Sequence, residues 1–337
     1  MPLLQVKDLS IDFLTDGKQI PTVSDVNFTL EKGECLAFVG ESGCGKSVSC
    51  MALTKLLPMP PAVIRSGEVL LEKRSGETVD VLKVPPRELR KIRGGEIAYI
   101  FQEPSMSLNP VFRVGDQIVE SILLHRPETE EPYKEAEELL RQVGIPDPAD
   151  RVKRYPHELS GGMQQRVMIA MALASHPSVL VADEPTTALD VTIQAQILEL
   201  LMELKDTLGM AVILVTHNFG LVAEIADRVA VMYAGRIVET AKVDLLLRNP
   251  MHPYTKALLA AVPVLGGSRG RLETIPGTVP LPAEFPPGCR FCGRCGRVPE
   301  KEEETCRENV PPLREILPGH FCACFFAEEP AGDKEEK

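Results

Sequence analysis

The stretch at residues 40–47, which has the sequence GESGCGKS, constrains the fold more than any other part of the chain. It fits the pattern G-x-x-x-x-G-K-S and directly follows an apolar segment at residues 35–39. Such a loop connects a strand to a helix, because its backbone N–H groups can then surround the phosphates of a nucleotide while the helix presents its positive end. We predict a phosphate-binding loop in which Lys46 reaches the β- and γ-phosphates and the Ser47 hydroxyl binds Mg²⁺.

The remainder of the chain predicts an α/β fold. Turns at Asp16-Gly17 and Lys32-Gly33 separate short predicted strands at residues 3–6, 11–13, 26–30 and 35–39. A buried strand is predicted at residues 97–101 and a largely helical stretch at residues 114–143. From Ser160, which can cap a helix, helices and strands alternate, with strands at residues 179–182 and 211–215 and a helix at residues 191–208. This alternation indicates a largely parallel sheet covered by helices.

The length of 337 residues predicts more than one structural part, since a single core usually stops growing at roughly 250 to 300 residues. Proline and glycine become frequent after residue 250, which indicates a domain boundary. We predict a main domain at residues 1–262 with a helical subdomain at about residues 104–160. A small, loop-rich, cysteine-rich C-terminal domain is expected at residues 263–326, followed by an acidic tail at residues 327–337.

Charge and hydropathy exclude some classes of protein. The net charge of -11 argues against nonspecific nucleic-acid binding, which depends on Lys and Arg neutralising phosphates. No stretch approaches the roughly 18 to 20 apolar residues that span a bilayer, and residues 1–10 lack the apolar core of a signal peptide. We therefore expect a cytoplasmic location.

A second chemical pattern lies at residues 179–184, where an apolar strand ends in Asp183 and Glu184. A nucleotide hydrolase uses two such carboxylates to hold Mg²⁺ and to orient or deprotonate the attacking water. Buried strands also end in acidic residues that only cap the next helix, so this pattern alone leaves both interpretations open.

The sequence LSGGMQQR at residues 159–166 precedes that strand and resembles the signature of ATP-binding-cassette (ABC) ATPases. Gln102, Ala188-Leu189-Asp190 and His217 stand around it in the order and spacing of that family. The resemblance covers about residues 3–262. It implies a P-loop NTPase fold of the ABC type, with a mixed β-sheet core, an antiparallel β subdomain and an α-helical subdomain.

The resemblance also implies roles for individual residues. Glu184 is the expected catalytic base, His217 contacts the γ-phosphate, and Gln102 and Asp183 join Ser47 at Mg²⁺. Phe13 is expected to stack on adenine, with a plain core phenylalanine as the alternative. The signature of one subunit binds the ATP of the other, which implies a head-to-tail dimer. The remaining expected nucleotide contacts are Gly40, Ser42, Gly43, Cys44, Gly45, Lys46, Val48, Ser160, Gly161, Gly162, Gln164 and Asp190.

Cys44 lies inside the phosphate loop, where the family very often has serine. Because the loop acts through backbone N–H groups, we expect the thiol to be tolerated. Chemical modification of the thiol is expected to block nucleotide binding, and MgATP is expected to protect it.

Residues 252–258, 275–277 and 286–289 resemble the C-terminal extension of oligopeptide and dipeptide importer ATPases, a branch that includes nickel importers. The resemblance implies a second, related but non-identical ATPase subunit, two membrane permeases, and an extracytoplasmic substrate-binding protein acting indirectly. It places the chain at the cytoplasmic face of the membrane, with the loop at residues 104–110 against the permeases. A non-transport ABC ATPase of DNA repair or translation, and an importer of nickel or another small solute, are the alternatives.

Six of the nine cysteines lie between Cys289 and Cys324. In the importer branch, the positions of Cys289, Cys295, Cys306 and Cys324 can hold a [4Fe–4S] cluster, which leaves Cys292 and Cys322 as extra thiols. Tetrahedral zinc and free thiols are the alternatives. Arg290, Arg294, Arg297 and Arg307 are close in sequence, and we expect them to offset the negative charge of a cluster. An iron–sulfur electron-transfer protein would leave the first 260 residues unexplained.

Overall fold

The structure is a computed structural model that describes residues 1–187, 189–261, 275–297 and 303–327, with the backbone alone at residue 105. Ala188, the predicted domain boundary at residues 262 and 263, and nearly all of the predicted acidic tail lie outside the described residues. The division into a main domain and a C-terminal domain therefore stays a prediction.

The described residues form twelve strands, twelve α-helices and three short 3₁₀ helices. The strands are β1 (Leu4–Thr15), β2 (Lys18–Leu30), β3 (Cys35–Val39), β4 (Ala62–Glu72), β5 (Thr78–Asp80), β6 (Ile97–Ile100), β7 (Val179–Asp183), β8 (Ala211–Thr216), β9 (Arg228–Tyr233), β10 (Arg236–Lys242), β11 (Arg314–Leu317) and β12 (His320–Cys322). The helices are α1 (Lys46–Ala52), α2 (Pro86–Ile92), α3 (Pro104–Ser107), α4 (Val114–His125), α5 (Pro132–Gln142), α6 (Pro148–Arg151), α7 (Gly161–Leu173), α8 (Val191–Leu208), α9 (Phe219–Ile225), α10 (Val243–Arg248), α11 (Pro253–Ala260) and α12 (Glu303–Glu308).

These elements belong to two compact units, each built from separate segments of the chain. The first unit comprises Met1–Gln5, Thr29–Cys35 and Val69–Val215. The second unit comprises Val6–Phe28, Leu36–Glu68 and Thr216–Lys337.

Three parallel strands organise the first unit. β7 pairs with β6 on one side, with Ile97 opposite Val179, and with β8 on the other, with Ala182 opposite Leu214. All five residues of β7 are buried, as expected for a parallel strand covered on both faces. Because the carboxyl ends of parallel strands meet at one edge, the residues that follow β6 and β7 lie close together.

The predicted helical stretch at residues 114–143 is two helices, α4 and α5, which contact each other and α7. The break falls at Arg126, which precedes Pro127 and has φ -136° and ψ 67°. A proline disfavours the helical conformation of the residue before it. Pro132 then begins α5 at a position where its missing N–H is not needed.

The second unit contains a mixed group of strands. β3 is parallel to β9, whereas β10 is antiparallel to both β9 and β12, and β12 is antiparallel to β11. The phosphate loop follows β3 and opens into α1. The sequence predicted a loop-rich C-terminal part, but β11 and β12 form an antiparallel pair there, and β12 also pairs with β10.

The buried carboxylate of Glu239 connects β12 of this strand pair to residues 251 and 252. Glu239 on β10 is fully buried and accepts hydrogen bonds from the N–H groups of Met251 (2.7 Å) and His252 (2.9 Å). Its carboxylate also lies 2.7 Å from Nε2 of His320 on β12, which is fully buried as well. Burial lowers the pKa of His252 to about 4, and its Nδ1 accepts from the Tyr254 N–H at 3.1 Å.

Replacing Glu239 with alanine is expected to destabilise the protein by about 3 kcal/mol, because the change leaves two N–H groups and a histidine without their buried acceptor. Urea unfolding followed by circular dichroism measures this difference. Glu304→Ala is the matched control, since Glu304 is exposed on α12. Equal midpoints for the two variants would show that the Glu239 network contributes nothing to stability.

Candidate functional site

The phosphate loop in the second unit requires glycine at two of its positions. Gly40 has φ 151°, and a Cβ built there would lie 2.2 Å from the Met232 carbonyl oxygen. Gly45 has φ 100°, and its Cβ would lie 3.3 Å from Gly235. A hydrogen bond of 2.7 Å from the Gly235 N–H to the Cys44 carbonyl holds the loop against the end of β9. The loop backbone is therefore held against residues 232–235, which fixes the conformation in which its N–H groups can bind an anion.

Lys46 lies inside the loop that it is predicted to serve. Its side chain is almost completely buried, and its ammonium group donates to the carbonyl oxygens of Gly40 at 2.7 Å and Glu41 at 3.1 Å. A buried positive charge within reach of the loop backbone suits the neutralisation of nucleotide phosphates. Ser42 and Gly43 are exposed at the tip of the loop, whereas Ser47 and Val48 on α1 are partly buried.

Cys44 is fully buried beneath the loop, 3.8 Å from the Lys46 ammonium group. Burial raises the pKa of this thiol, against the opposing effect of Lys46. A thiol with a raised pKa carries less thiolate at neutral pH, and the thiolate is the species that alkylating reagents attack. Modification of Cys44 therefore requires the loop to open.

We expect iodoacetamide to alkylate Cys44 much more slowly in the folded protein than in urea at pH 7.5. The rate should increase with pH, because a higher pH converts more of the thiol to thiolate, and MgATP should decrease it further. Peptide mapping by mass spectrometry measures both rates on the same residue. Alkylation in the folded protein at the rate seen in urea would contradict the buried position of Cys44.

The two carboxylates of the first unit lie at the end of β7. Asp183 is buried, with 7% of its surface exposed. Glu184 has φ 45°, which is rare for a residue other than glycine and typical of functional positions held by their surroundings. Its carboxylate accepts hydrogen bonds from Gln102 Nε2 at 3.2 Å and Thr187 Oγ1 at 2.8 Å. Gln102 and Glu184 were both predicted from the sequence, whereas Thr187 was not.

The signature at residues 159–166 begins α7. Ser160 is exposed, and its Oγ accepts from the Met163 N–H at 3.4 Å, as predicted for a helix cap. Gly161 is exposed and lines a cleft of about 190 Å³ together with Gln102 and Thr187. Gln164 lines the same cleft, and its side chain donates to the carbonyl oxygens of Pro156 and Leu159, which orients the segment before the helix.

The remaining predicted contacts have the following positions. Asp190 caps α8 by accepting from the Ile193 N–H at 3.0 Å. His217 is exposed directly after β8, before Asn218 caps α9. Phe13 is partly buried on β1, and Gly162 lies in the first turn of α7. Asp190 thus has a local structural role in addition to the predicted nucleotide contact.

Comparison with known proteins decides the family. The model described as ABC transporter matches residues 23–187, and the model described as the C-terminal region of oligopeptide/dipeptide transporters matches residues 238–306. A putative peptide import ATP-binding protein of Brucella melitensis is 48% identical over 335 residues, with 97% of this chain and 98% of that protein covered. The chain belongs to the ABC transporter family of ATP-binding proteins. The oligopeptide transport ATP-binding protein OppD of Bacillus subtilis is 49% identical to this ABC protein over 95% of this chain and 87% of its own length.

Solved structures share the fold of this ABC protein. The ATP-binding cassette MJ0796, in a dimeric post-hydrolysis state bound to ADP and Pi, aligns with a TM-score of 0.62 at 28% identity, over 71% of this chain and 98% of that one. The structure of cbiO1 from Clostridium perfringens, part of the ABC transporter complex cbiONQ, aligns with a TM-score of 0.61 at 26% identity, over 74% and 91%. These matches confirm the predicted α/β cassette fold, and the chain is an ATPase.

The cysteine-rich segment of this ABC ATPase brings some of its thiols near one another. The Cys289 N–H donates to the Cys306 carbonyl at 2.7 Å. Burial raises the pKa of Cys289 to about 12, with smaller effects from Cys306, Cys292 and Cys324. Within the described ranges, however, no three His, Cys, Asp or Glu side chains converge as ligands of one metal ion. The structure therefore does not show the predicted cluster site.

Two further observations concern this segment. Cys322 is fully buried against Met251 and Ala327 in a small apolar cluster. Three of the arginines that were expected to offset cluster charge are bound to other groups. Arg290 donates to Ala234 O and Ser24 Oγ, Arg294 binds the Glu41 carboxylate, and Arg307 binds Glu303.

In the part of the chain that the structure describes, no helix has the length and apolar character needed to cross a membrane.

Proposed function

We propose that this chain is the ATP-hydrolysing, energy-coupling subunit of an ABC importer for dipeptides and oligopeptides. The observation that carries the proposal is the match of residues 238–306 to the C-terminal region of oligopeptide/dipeptide transporters. That region begins on β10 and ends in α12, so it includes Glu239 with its donors Met251 and His252, and the first four of the six C-terminal cysteines. The names of the Brucella and Bacillus relatives support the same substrate class.

In this proposal Glu184 is the base of the hydrolytic step. At the end of a buried strand, hydrogen bonds from Gln102 and Thr187 orient the Glu184 carboxylate, and an oriented carboxylate suits the removal of a proton from water. Mg²⁺ would neutralise charge on the β- and γ-phosphates. Asp183, Ser47 and Gln102 carry oxygen atoms of the kind that this ion prefers, and Asp183 is a buried carboxylate.

The phosphate loop holds the nucleotide in the same scheme. Lys46 and the backbone N–H groups of residues 42–47 bind the phosphates, His217 contacts the γ-phosphate, and Phe13 stacks on the adenine ring. Ser160 and Gly161 are exposed at the start of a thirteen-residue helix, whose N-terminal N–H groups suit the γ-phosphate of a partner subunit. Hydrolysis thus depends on a dimer in which each subunit completes the site of the other.

Transport requires contact with the membrane permeases. We place that contact at the predicted loop at residues 104–110 and extend it to residues 111 and 112, which are exposed. Three apolar side chains of this segment are strongly exposed: Met106 at 81%, Val111 at 73% and Phe112 at 53%. The segment follows Gln102 directly, so a movement of the permease can reach the residue that binds Glu184. The chain then rests peripherally on the cytoplasmic face of the membrane.

Val111→Asp is expected to reduce copurification with the permeases from detergent-solubilised membranes, because the change places a charge in an apolar interface. Leu124→Asp is the matched control, since Leu124 is 71% exposed but lies on α4. ATP binding by the isolated chain should be unchanged in both variants.

The parent chain also distinguishes the alternative functions. Copurification with nucleic-acid enzymes instead of permeases would favour the DNA-repair or translation alternative. Stimulation of ATP hydrolysis by nickel rather than by peptides would favour the metal importer.

We propose further that Cys289, Cys295, Cys306 and Cys324 hold a [4Fe–4S] cluster. The hydrogen bond of 2.7 Å from the Cys289 N–H to the Cys306 carbonyl, which brings two of these residues together, supports the proposal. Anaerobic purification with an absorbance spectrum and iron, sulfide and zinc analysis tests it. Cys295→Ser should lose the iron, while Cys292→Ser should retain it. A colourless protein containing zinc, or one without metal, would reject the cluster.

A further inference from the structure

Among the described residues, Glu41 of the phosphate loop contacts two residues beyond position 250, Tyr254 and Arg294. The Glu41 N–H donates to the Tyr254 hydroxyl on α11 at 2.8 Å. The Glu41 carboxylate accepts from both terminal nitrogens of Arg294, at 2.8 and 3.1 Å. All of these residues belong to the second unit. Glu41 is one of the variable positions of the loop pattern, so the pattern itself assigns it no function.

Arg294 is held in place from several sides. Its Nε donates to the Pro276 carbonyl at 2.8 Å, and its guanidinium also contacts the Gly277 carbonyl and the Tyr233 hydroxyl. Only 8% of its side chain is exposed. A bidentate arginine–carboxylate pair in such a position is stronger and more specific in geometry than an ordinary surface ion pair.

Phe291 anchors the segment that carries Arg294, and only 3% of the surface of Phe291 is exposed. The Phe291 ring packs against Tyr233 at 5.1 Å, Tyr254 at 5.4 Å and His252 at 5.9 Å between centroids. The same aromatic group therefore fixes both Tyr254 and the short 3₁₀ helix Cys292–Arg294. The positions of the two groups that contact Glu41 depend on one another.

Glu41 is also connected to the phosphate-binding lysine, because its carbonyl oxygen accepts from the Lys46 ammonium group at 3.1 Å. Its N–H, carboxylate and carbonyl are thus bound by Tyr254, Arg294 and Lys46 in turn. A rotation of the Glu41 peptide would displace the acceptor of Lys46 and redirect the N–H groups that follow. The loop conformation on which nucleotide affinity depends is therefore constrained from outside the loop.

We propose that Arg294 and Tyr254 are positioning residues of the nucleotide site, through which the cysteine-rich segment sets the affinity of the phosphate loop for ATP. This inference rests on nucleotide binding by the loop but on neither the peptide substrate nor a metal cluster. The cysteine-rich segment holds the phosphate loop in one conformation through the bond between Arg294 and Glu41. A conformational change in that segment therefore alters ATP affinity, although Arg294 does not contact the nucleotide.

The test measures binding of a fluorescent ATP analogue, with Mg²⁺, to the full chain. Arg294→Gln is expected to weaken binding about tenfold, and Glu41→Gln by a similar factor. Because the two residues form one contact, the double variant should bind no more weakly than either single variant. Arg294→Lys keeps the charge and should restore part of the affinity, whereas Tyr254→Phe, which loses only the hydroxyl, should show a smaller loss.

Arg297→Gln is the matched control, since Arg297 is an exposed arginine of the same cysteine-rich segment. For Arg294→Gln, the KM for ATP should rise while kcat at saturating ATP stays within about twofold, as expected for lost ground-state binding. The thermal midpoint should fall, because Glu41, Pro276 and Gly277 lose their donor, so binding is measured at a temperature where the variant remains folded. Should Arg294→Gln prove insoluble, Glu41→Gln carries the same comparison.

Three results would overturn the proposal: parental affinity in Arg294→Gln, an equal loss in Arg297→Gln, or losses that add in the double variant. Failure of the parent chain itself to bind the analogue would instead reject the nucleotide site as assigned. The two failures are therefore distinguishable in one titration series.

Discussion

Glu184→Gln is expected to slow ATP hydrolysis by about a thousandfold while leaving MgATP binding nearly unchanged. The amide has the size of the carboxylate and can still bond with Gln102 and Thr187, so the local structure should persist. It cannot accept the proton of the attacking water. Phosphate release in the steady state measures the loss, and binding of a fluorescent ATP analogue measures the retained affinity.

The same variant should accumulate as an ATP-bound dimer, because the bound nucleotide is no longer consumed. Size-exclusion chromatography with and without MgATP detects this species. Glu199→Gln is the matched control, since Glu199 is an exposed glutamate on α8, away from Asp183 and Glu184 in the sequence. Hydrolysis by Glu184→Gln at the parental rate would show that another group is the base.

The second large effect is expected from Ser160→Arg. The change places a long, charged side chain at the exposed start of α7, where the signature is proposed to contact the ATP of a partner subunit. Hydrolysis should decrease by at least about a hundredfold. ATP binding to the phosphate loop of the same chain should persist, because that loop is a separate part of the sequence.

Loss of the helix cap alone has to be distinguished from loss of the interface. Ser160→Ala removes the bond to the Met163 N–H and should cost about 1 kcal/mol of stability, as should the arginine variant. Only the arginine also obstructs the partner. Equal hydrolysis by the two variants would assign the effect to the cap and would contradict the shared site.

Local signals allowed much of the fold to be predicted. The strand Cys35–Val39 and the helix Val191–Leu208 have the predicted bounds, because an apolar run before a glycine loop and a capped amphipathic stretch are properties of neighbouring residues. The same holds for Ser160 as a helix cap. Gln102 was identified only through the resemblance to ABC ATPases, and the structure adds that the strand before it pairs with the strand before Glu184.

The features that were missed have no distinctive local pattern in the sequence. Arg294 and Glu41 are 253 positions apart, and no periodic pattern connects them. Thr187 looks like an ordinary turn residue until the position of Glu184 is known. β11 and β12 lack the apolar alternation of a typical strand, since Arg314 and Glu315 begin the first of them. Such elements are determined by tertiary pairing rather than by local propensity.

The pairing of β12 with β10 also has a consequence for the stability of the chain against aggregation. Beside β12, the outermost strand β11 is only four residues long and begins with two charged residues, which discourages a second molecule from adding to it. A chain shortened at residue 313 would instead expose the seven-residue β10 with Ile237 and Val238. β11 and β12 thus cover the edge of β10, which would otherwise be open to pairing with another molecule, and this effect does not depend on the cysteines.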